Sequence, residues 1–189
     1  WDRIGRRLDW IKPYTKIKDV SYDASDLHIR WYEDGELNVS ANCLDRHLAT
    51  RGDKTAIIWE GDDPAESRRV SYRELHAEVC KAANLLTQLG VRKGDRVAIM
   101  MPNCLQYPIA ILGVLRAGLT VVNTNPMYTA RELKHQLVDS GASVLVVMDN
   151  FGDVAQNVLA QVPGVRAVTT GLGDMLGFPK GMIVNLVLK

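Results

Sequence analysis

The chain has 189 residues, 47% hydrophobic and 24% charged, ordinary globular proportions with enough length for one substantial core, in one domain or part of a larger one. Lysine and arginine number 23 against 22 for aspartate and glutamate, so no field of one sign draws in nucleic acid or an anionic membrane, and no nucleic-acid partner is expected. The cysteines Cys43, Cys80 and Cys104 are dispersed and form no CxxC pair, which argues for a reducing cytosol and against a disulfide framework or a zinc site.

The N-terminal WDRIGRRLDW is charged and lacks the apolar run of a secretory signal; without an initiator methionine it suggests a start inside a longer product. Residues 1 to about 26 read as an extended arm with one short helical piece. HIRWYEDGELNVS predicts a hairpin, two short strands around Glu33-Asp34-Gly35, where glycine can take the positive φ of a tight turn. Residues 1–40 are thus an arm and hairpin ahead of an α/β unit over 41–189.

From there helix and strand alternate. Asn42 is placed to cap a helix in NCLDRHLAT, and TAIIWEG follows as a strand. SYRELHAEVCKAANLLTQLG sets Ser71 and Glu74 in capping-box spacing, with Leu75, Val79, Ala82 and Leu86 on one stripe that Gly90 ends. DRVAIMMP has consecutive apolar residues, the pattern of a strand buried on both faces. A helix from about Leu105 to Arg116, closed at Gly118, leads to the buried strand LTVVN. Thr129 and Glu132 repeat the capping-box spacing, Gly141 closes that helix, and SVLVVM is a third strand. Asp149 or Asn150 can cap a further helix toward Gln161, and VRAVTT adds a strand after Pro163-Gly164. The fold class is α/β: a partial doubly wound, mostly parallel sheet with flanking helices. For GMIVNLVLK the pattern does not choose among helix, strand and tail. The longest apolar runs, Ile109–Leu115 and Met182–Leu188, fall well short of the roughly 20 residues a spanning helix needs, so no transmembrane segment is predicted.

Few motifs carry chemistry. Glu132 and His135 make an E-x-x-H pair, but a di-iron site needs a second pair and two more carboxylates from facing helices, so no metal site is assigned. His28, His47 and His76 have no partner spacing that makes a metal or catalytic case. GLGDMLGFPKG, residues 171–181, invites a phosphate-loop reading, yet fits neither GxGxxG nor GxxxxGK[ST] and reads as a mobile glycine-rich loop. Ser71, Ser140 and the cysteines stand in no nucleophile elbow, and no catalytic residue is assigned. Half of a nicotinamide dehydrogenase would share the layer pattern but not the absence of GxGxxG after the strands.

Resemblance adds more. NVSANCLDRHLATRGDKTAIIWEGDDP, Asn38 to Pro64, closely resembles the N-terminal portion of acetyl-CoA synthetases, and WDRIGRRLDWIKPYTKIKDVSYD with HIRWYEDGELN resembles the segment that precedes it there. VSYREL followed by LGVRKGDRVAIMMPN resembles the first core motif of the adenylate-forming superfamily. Leu105 to Val147 instead resembles long-chain fatty-acyl-CoA synthetases. The chain therefore looks like the N-terminal part of an AMP-forming acyl-CoA synthetase, acetate-like to about residue 95 and long-chain-like from about 100 to 189. Both kinds run KGD, a buried strand and MP at the junction, so a crossover inside the shared strand keeps every side chain on its proper face. A natural mosaic gene, a laboratory recombinant and an assembly artefact are all compatible with it.

The resemblance implies activation of a carboxylic acid, acetate or a fatty acid, by ATP and Mg²⁺ to an acyl-adenylate, then transfer to CoA. Adenylation needs preorganised positive charge, backbone N–H groups and a metal around the phosphates. In the family these come from a Thr/Ser/Gly-Lys phosphate loop, later adenylate motifs and a lysine in a C-terminal domain. None occurs before Lys189, so the resemblance implies a chain inactive alone, whose partner is the rest of the adenylation domain. Acetyl-CoA synthetases approach CoA with a Gly-Gly-Phe turn and arginines beyond it; here that region reads TNPMYT and VMDNFGDVAQN, without matching arginines. The NPMYT turn follows the strand LTVVN, and ligands of α/β proteins gather at the C-terminal ends of parallel strands. That makes Asn125, Pro126, Tyr128 and Thr129 candidates for the acyl or CoA channel, with Arg131 a weaker one. Turn and cap chemistry alone also accounts for them. The alternative to a ligase part is a non-catalytic α/β docking or binding module. The expected location is cytoplasmic, with peripheral membrane association left open by analogy with the long-chain enzymes.

Overall fold

The structure, a computed structural model, describes residues 1–61, 63 and 66–187. The first segment is α1 (Asp2–Gly5) and an antiparallel ribbon of β1 (Lys18–Ser21) and β2 (His28–Trp31). The hairpin expected around Gly35 is not there: β2 pairs backwards with β1, and the chain beyond it turns toward the arm. Tyr32, the residue after the strand, sits at φ 51°, a conformation that needs outside support for a bulky residue. Asp34 supplies it, its carboxylate accepting from the Thr15 N–H at 2.8 Å, the Thr15 hydroxyl and the Lys16 N–H at 3.3 Å. Glu36 then bridges to Lys12. Around this turn Trp10, Tyr14 and Tyr32 pack together with centroids 4.7 to 5.5 Å apart, Trp10 and Tyr14 edge to face and the other pairs tilted.

Helix α2 (Val39–Cys43) follows, then a 3₁₀ turn at Asp45–His47 and α3 (Leu48–Arg51). The cap of α2 is Asn38 rather than Asn42: its Oδ1 accepts from Ala41 N at 3.1 Å, while Asn42, already inside the helix, reaches back to Asp9. β3 (Thr55–Glu60) pairs antiparallel with β4 (Ser67–Ser71) across a register shift near Thr55. β4 has no counterpart in the sequence reading, because in SRRVS only Val70 is buried and no alternation shows. α4 (Tyr72–Gln88) carries the complete Ser71/Glu74 capping box. Its buried stripe runs through Ala83 instead of Ala82; Ala82 faces α5, where a Cβ on Gly113 would come within 2.8 Å of the Ala82 methyl.

The main sheet comprises β5 (Arg96–Met100), β6 (Thr120–Thr124), β7 (Val144–Met148) and β8 (Arg166–Thr170), all parallel in the order β6-β5-β7-β8. Helices α5 (Gln106–Arg116), α6 (Ala130–Ser140) and α7 (Gly152–Leu159) connect them. Both faces are covered, as the unbroken apolar strands require. Val97, Ile99 and Val144 meet Leu86 and Val114 of α4 and α5. Ala98, Met100, Leu145 and Val147 meet Leu133 and Leu137 of α6 and Ala155 and Val158 of α7. The α/β class with a doubly covered parallel sheet is therefore the observed fold. Neither Asp149 nor Asn150 caps α7: a 3₁₀ turn, Asp149–Phe151, intervenes and puts Phe151 at the N-cap position.

The glycine-rich segment, expected as a loop, carries regular structure. It forms a 3₁₀ turn at Leu172–Met175 and α8 (Lys180–Val187), which resolves most of GMIVNLVLK as helix; Leu188 and Lys189 lie outside the described residues. Its glycines permit a close crossing: a Cβ on Gly173 would collide with the Gly181 carbonyl oxygen, and one on Gly181 with that of Gly173.

Candidate functional site

β6 delivers the chain to the C-terminal end of the sheet, where Thr124 is buried and Asn125 begins a turn. The turn is locally determined. Asn125 Oδ1 accepts from Met127 N at 2.9 Å and Asn125 O from Tyr128 N at 3.1 Å, an Asx turn laid over a β-turn with proline at the favoured second position. Thr129 is the N-cap of α6: its hydroxyl accepts from Glu132 N and donates to Glu132 Oε2 at 2.7 Å, and that carboxylate also takes the Thr129 N–H at 2.9 Å. The Thr129 N–H, and secondarily its hydroxyl, hold the Glu132 carboxyl below the usual range. Glu132 is thereby committed to the cap, not to a pair with His135.

The structure brings Tyr128, Thr129 and Arg131 together with His135 and Asp139 along an open groove of about 730 Å³ on the outer face of α6. The Tyr128 ring is half-buried against the α6–α7 side of the core. Asn125 and Pro126 stand at the head of the turn outside that groove. One residue the sequence reading passed over joins them. Asn123 Oδ1 accepts from the Tyr107 hydroxyl at 2.9 Å, and its carbonyl from Gln136 Nε2 at 3.0 Å, tying β6 to α5 and α6. Only the pairing of β6 beside β5 makes this visible, since Tyr107 and Asn123 are 16 residues apart. Gln136 Oε1 is buried with no hydrogen-bond partner among the described residues.

A second polar cluster joins the first segment to the α/β layer. Asn38 Nδ2 donates to the Leu115 and Arg116 carbonyls at 3.0 and 3.2 Å, closing the C-terminal end of α5. Arg116 Nη1 lies 2.7 Å from Asp45 Oδ2, and His76 Nε2 lies 3.3 Å from Asp45 Oδ1. Desolvation pushes the Asp45 carboxyl up, but the hydrogen bond and charge of Arg116, aided by His76, outweigh it and leave the net shift downward. Burial raises the Cys104 thiol.

Among the described residues, the glycine-rich segment is not arranged to cradle a triphosphate. In the segment 171–181, Gly171 N donates to Asp174 Oδ2 at 2.8 Å and Gly173 N to Asn185 Oδ1 at 2.7 Å, so the N–H groups a phosphate would take are already engaged. Among the described residues, no cluster of three or more His, Cys, Asp or Glu is placed to hold a metal ion, and no helix is long and apolar enough to cross a membrane.

Comparison with known proteins gives two adjoining family matches. Residues 1–43 match "Acetyl-coenzyme A synthetase N-terminus", and residues 44–184 match "AMP-binding enzyme". An acetyl-coenzyme A synthetase of Aeromonas salmonicida is 52% identical over 149 residues, 79% of this chain and 23% of that protein. One from Serratia proteamaculans is 42% identical over 182 residues, 89% of this chain and 27% of that protein. The chain thus spans about a quarter of the length of these relatives. An alignment of 149 residues cannot fit on either side of residues 95–103, so likeness to acetyl-coenzyme A synthetases continues past the junction. Among solved structures, the acetoacetyl-CoA synthetase from Streptomyces lividans superposes with a TM-score of 0.76 at 22% identity, covering 94% of this chain and 29% of that one; at this identity the likeness is one of fold.

Proposed function

The chain belongs to the AMP-binding enzyme family, and from that premise we propose that it is part of an AMP-forming acid–CoA ligase, which joins a carboxylic acid to AMP and passes the acyl group to CoA. The observation that carries this reading is the order of the two family matches, an acetyl-coenzyme A synthetase N-terminus running directly into an AMP-binding enzyme. The first 40 residues would form a separate arm and ribbon, and residues from 41 onward one flank of the adenylation domain.

In this reading ATP, Mg²⁺ and CoA serve the complete enzyme. The described residues do not fit the phosphates, and the 189 residues alone are expected to be inactive. Their contribution is a wall. The turn Asn125, Pro126, Tyr128 and Thr129 stands at the C-terminal end of a parallel strand, where ligands of α/β proteins collect. It would line the acyl or CoA channel through a rigid surface, held by the Asx turn, the Thr129 cap and the Tyr107–Asn123 bond. A cytoplasmic location accords with three cysteines that remain free thiols.

Acetate is the first substrate reading, because the relatives are named for it. A longer acid is the second, favoured by the long-chain resemblance of Leu105–Val147. The test is a chimera in which this chain replaces the matching stretch of the Aeromonas salmonicida enzyme. Acetate-dependent ATP–pyrophosphate exchange should persist, and Tyr128→Ala should raise the KM for acid or CoA while leaving the melting temperature within a few degrees. A folded chimera without exchange for acetate, octanoate or palmitate would overturn the ligase reading.

A further inference from the structure

The polar cluster that joins the first segment to the α/β layer also holds a thiol. Cys80 follows His76 by one turn of α4, so the two side chains share a face. Cys80 Sγ lies 3.6 Å from His76 Nε2 and 3.9 Å from Nδ1. His76 Nε2 also lies 3.3 Å from Asp45 Oδ1, and Asp45 Oδ2 lies 2.7 Å from Arg116 Nη1. An ionised carboxylate can only accept, so Asp45 selects the tautomer with its hydrogen on Nε2 and leaves Nδ1 to accept from the Cys80 S–H. Thiol, imidazole and orienting carboxylate thus stand in the order a base-activated nucleophile requires. The 31 residues between Asp45 and His76 hide this from the sequence.

The charges around the thiol are balanced. Asp45 is paired with Arg116, so its carboxylate is not left to repel a thiolate. The Asp45 hydrogen bond raises the Arg116 pKa, and the charges of Asp45 and Cys80 add to this against desolvation, which puts a cation within electrostatic reach of Cys80. Cys80 is partly exposed and Cys43 more so, while burial raises the Cys104 thiol. A neighbouring base and positive charge, more than exposure alone, select a reactive thiol. We propose that Cys80 is a modification site for low-molecular-weight disulfides, with His76 as its base. His76 Nδ1 takes the thiol proton, the Cys80 sulfur attacks one sulfur of the disulfide, and the other sulfur leaves as a thiolate that takes the proton back from His76. One S–S bond forms as one breaks: the Cys80 sulfur is oxidised, and the leaving half of the disulfide is reduced to a free thiol. Nothing in this step depends on the ligase reading.

The test mixes the purified, fully reduced chain with glutathione disulfide and follows the adduct on each cysteine over time by peptide mass spectrometry. Cys43 and Cys104 serve as references within the same molecule. Cys80 should be labelled first, ahead of the more exposed Cys43, and dithiothreitol should remove the added mass. His76→Gln keeps an amide N–H for Asp45 and deletes the base. It should slow labelling of Cys80 at least about tenfold and leave the Cys43 rate unchanged, whereas a general loosening of the fold would speed both. His76→Asn, read in the same way, keeps the test decisive if His76→Gln does not fold. Labelling of Cys43 or Cys104 ahead of Cys80, no adduct on Cys80, or an unchanged Cys80 rate in a folded His76 variant overturns the proposal.

Discussion

Asp34 shows how one carboxylate can hold a segment in place. The Thr15 hydroxyl, then the Thr15 N–H, lower its pKa from 3.8 to about 2. A depressed carboxyl stabilises the fold above its unfolded pKa, and that contribution disappears as pH falls through the folded value. The arm should therefore loosen between about pH 4 and pH 2, seen as a change in the emission of Trp10, which packs on Tyr14 and Tyr32. Asp34→Asn should show the loosened signal already at pH 7; an arm that stays closed in this variant would contradict the assignment. Thr129 is a simpler case. Thr129→Ala removes the cap of α6 and should cost about 1 kcal/mol, measured as a lower urea midpoint at unchanged slope, while Thr129→Ser should retain most of it. The cap was legible in the sequence because Thr129 and Glu132 are three residues apart. Asn38 was harder to find, since Asn42 offers the same chemistry four residues on and only the chain's path past Asp9 and α5 separates them.

Helices and strands with strong local patterns were legible, and those shaped by distant partners were not. β5 and β7 announce themselves because both faces are buried, so apolar residues run consecutively, whereas β6, at the end of the sheet order, buries only Val121 and Val122 in part and Thr124 fully. β4 is invisible in SRRVS because antiparallel pairing with β3, rather than burial, makes it a strand. The Gly35 hairpin failed for a related reason: a glycine after two polar residues marks a turn, but Tyr32 and the Asp34 bonds to Thr15 send the chain back toward the arm rather than into a partner strand. The α4–α5 pair turns on Gly113, whose missing side chain lets the Ala82 methyl approach. Gly113→Val should destabilise by about 1–3 kcal/mol through overpacking, and Gly113→Val with Ala82→Gly should recover part of it, as read by chemical denaturation. Equal losses in the single and double variants would show that the two residues do not meet.

Across the whole molecule, the first segment and the α/β layer are joined at the C-terminal end of α5. Asn38→Ala removes both the α2 cap and the two donations to Leu115 and Arg116, and should cost about 1–3 kcal/mol. Asn38→Ser keeps a cap acceptor and loses the reach to the two carbonyls, so it should fall between Asn38→Ala and the parent chain in an equilibrium melt. β5 lies at the centre of this layer, and Val97 to Met100 are fully buried there. A seam in such a strand is tolerated only when its register is shared, because one residue of slip would exchange the two cores. The candidate turn was legible as turn and cap. Its link through Tyr107 and Asn123 was not, because it depends on strand order rather than spacing.

In the proposed reading these 189 residues supply walls of an acid–CoA ligase and not its phosphate chemistry. ATP–pyrophosphate exchange with acetate, measured side by side for the purified chain and for the chimera with the Aeromonas salmonicida enzyme, tests it most directly. The chain alone should give no exchange above background, and the chimera clear exchange. Exchange by the chain alone, or a folded chimera that stays silent, would contradict it.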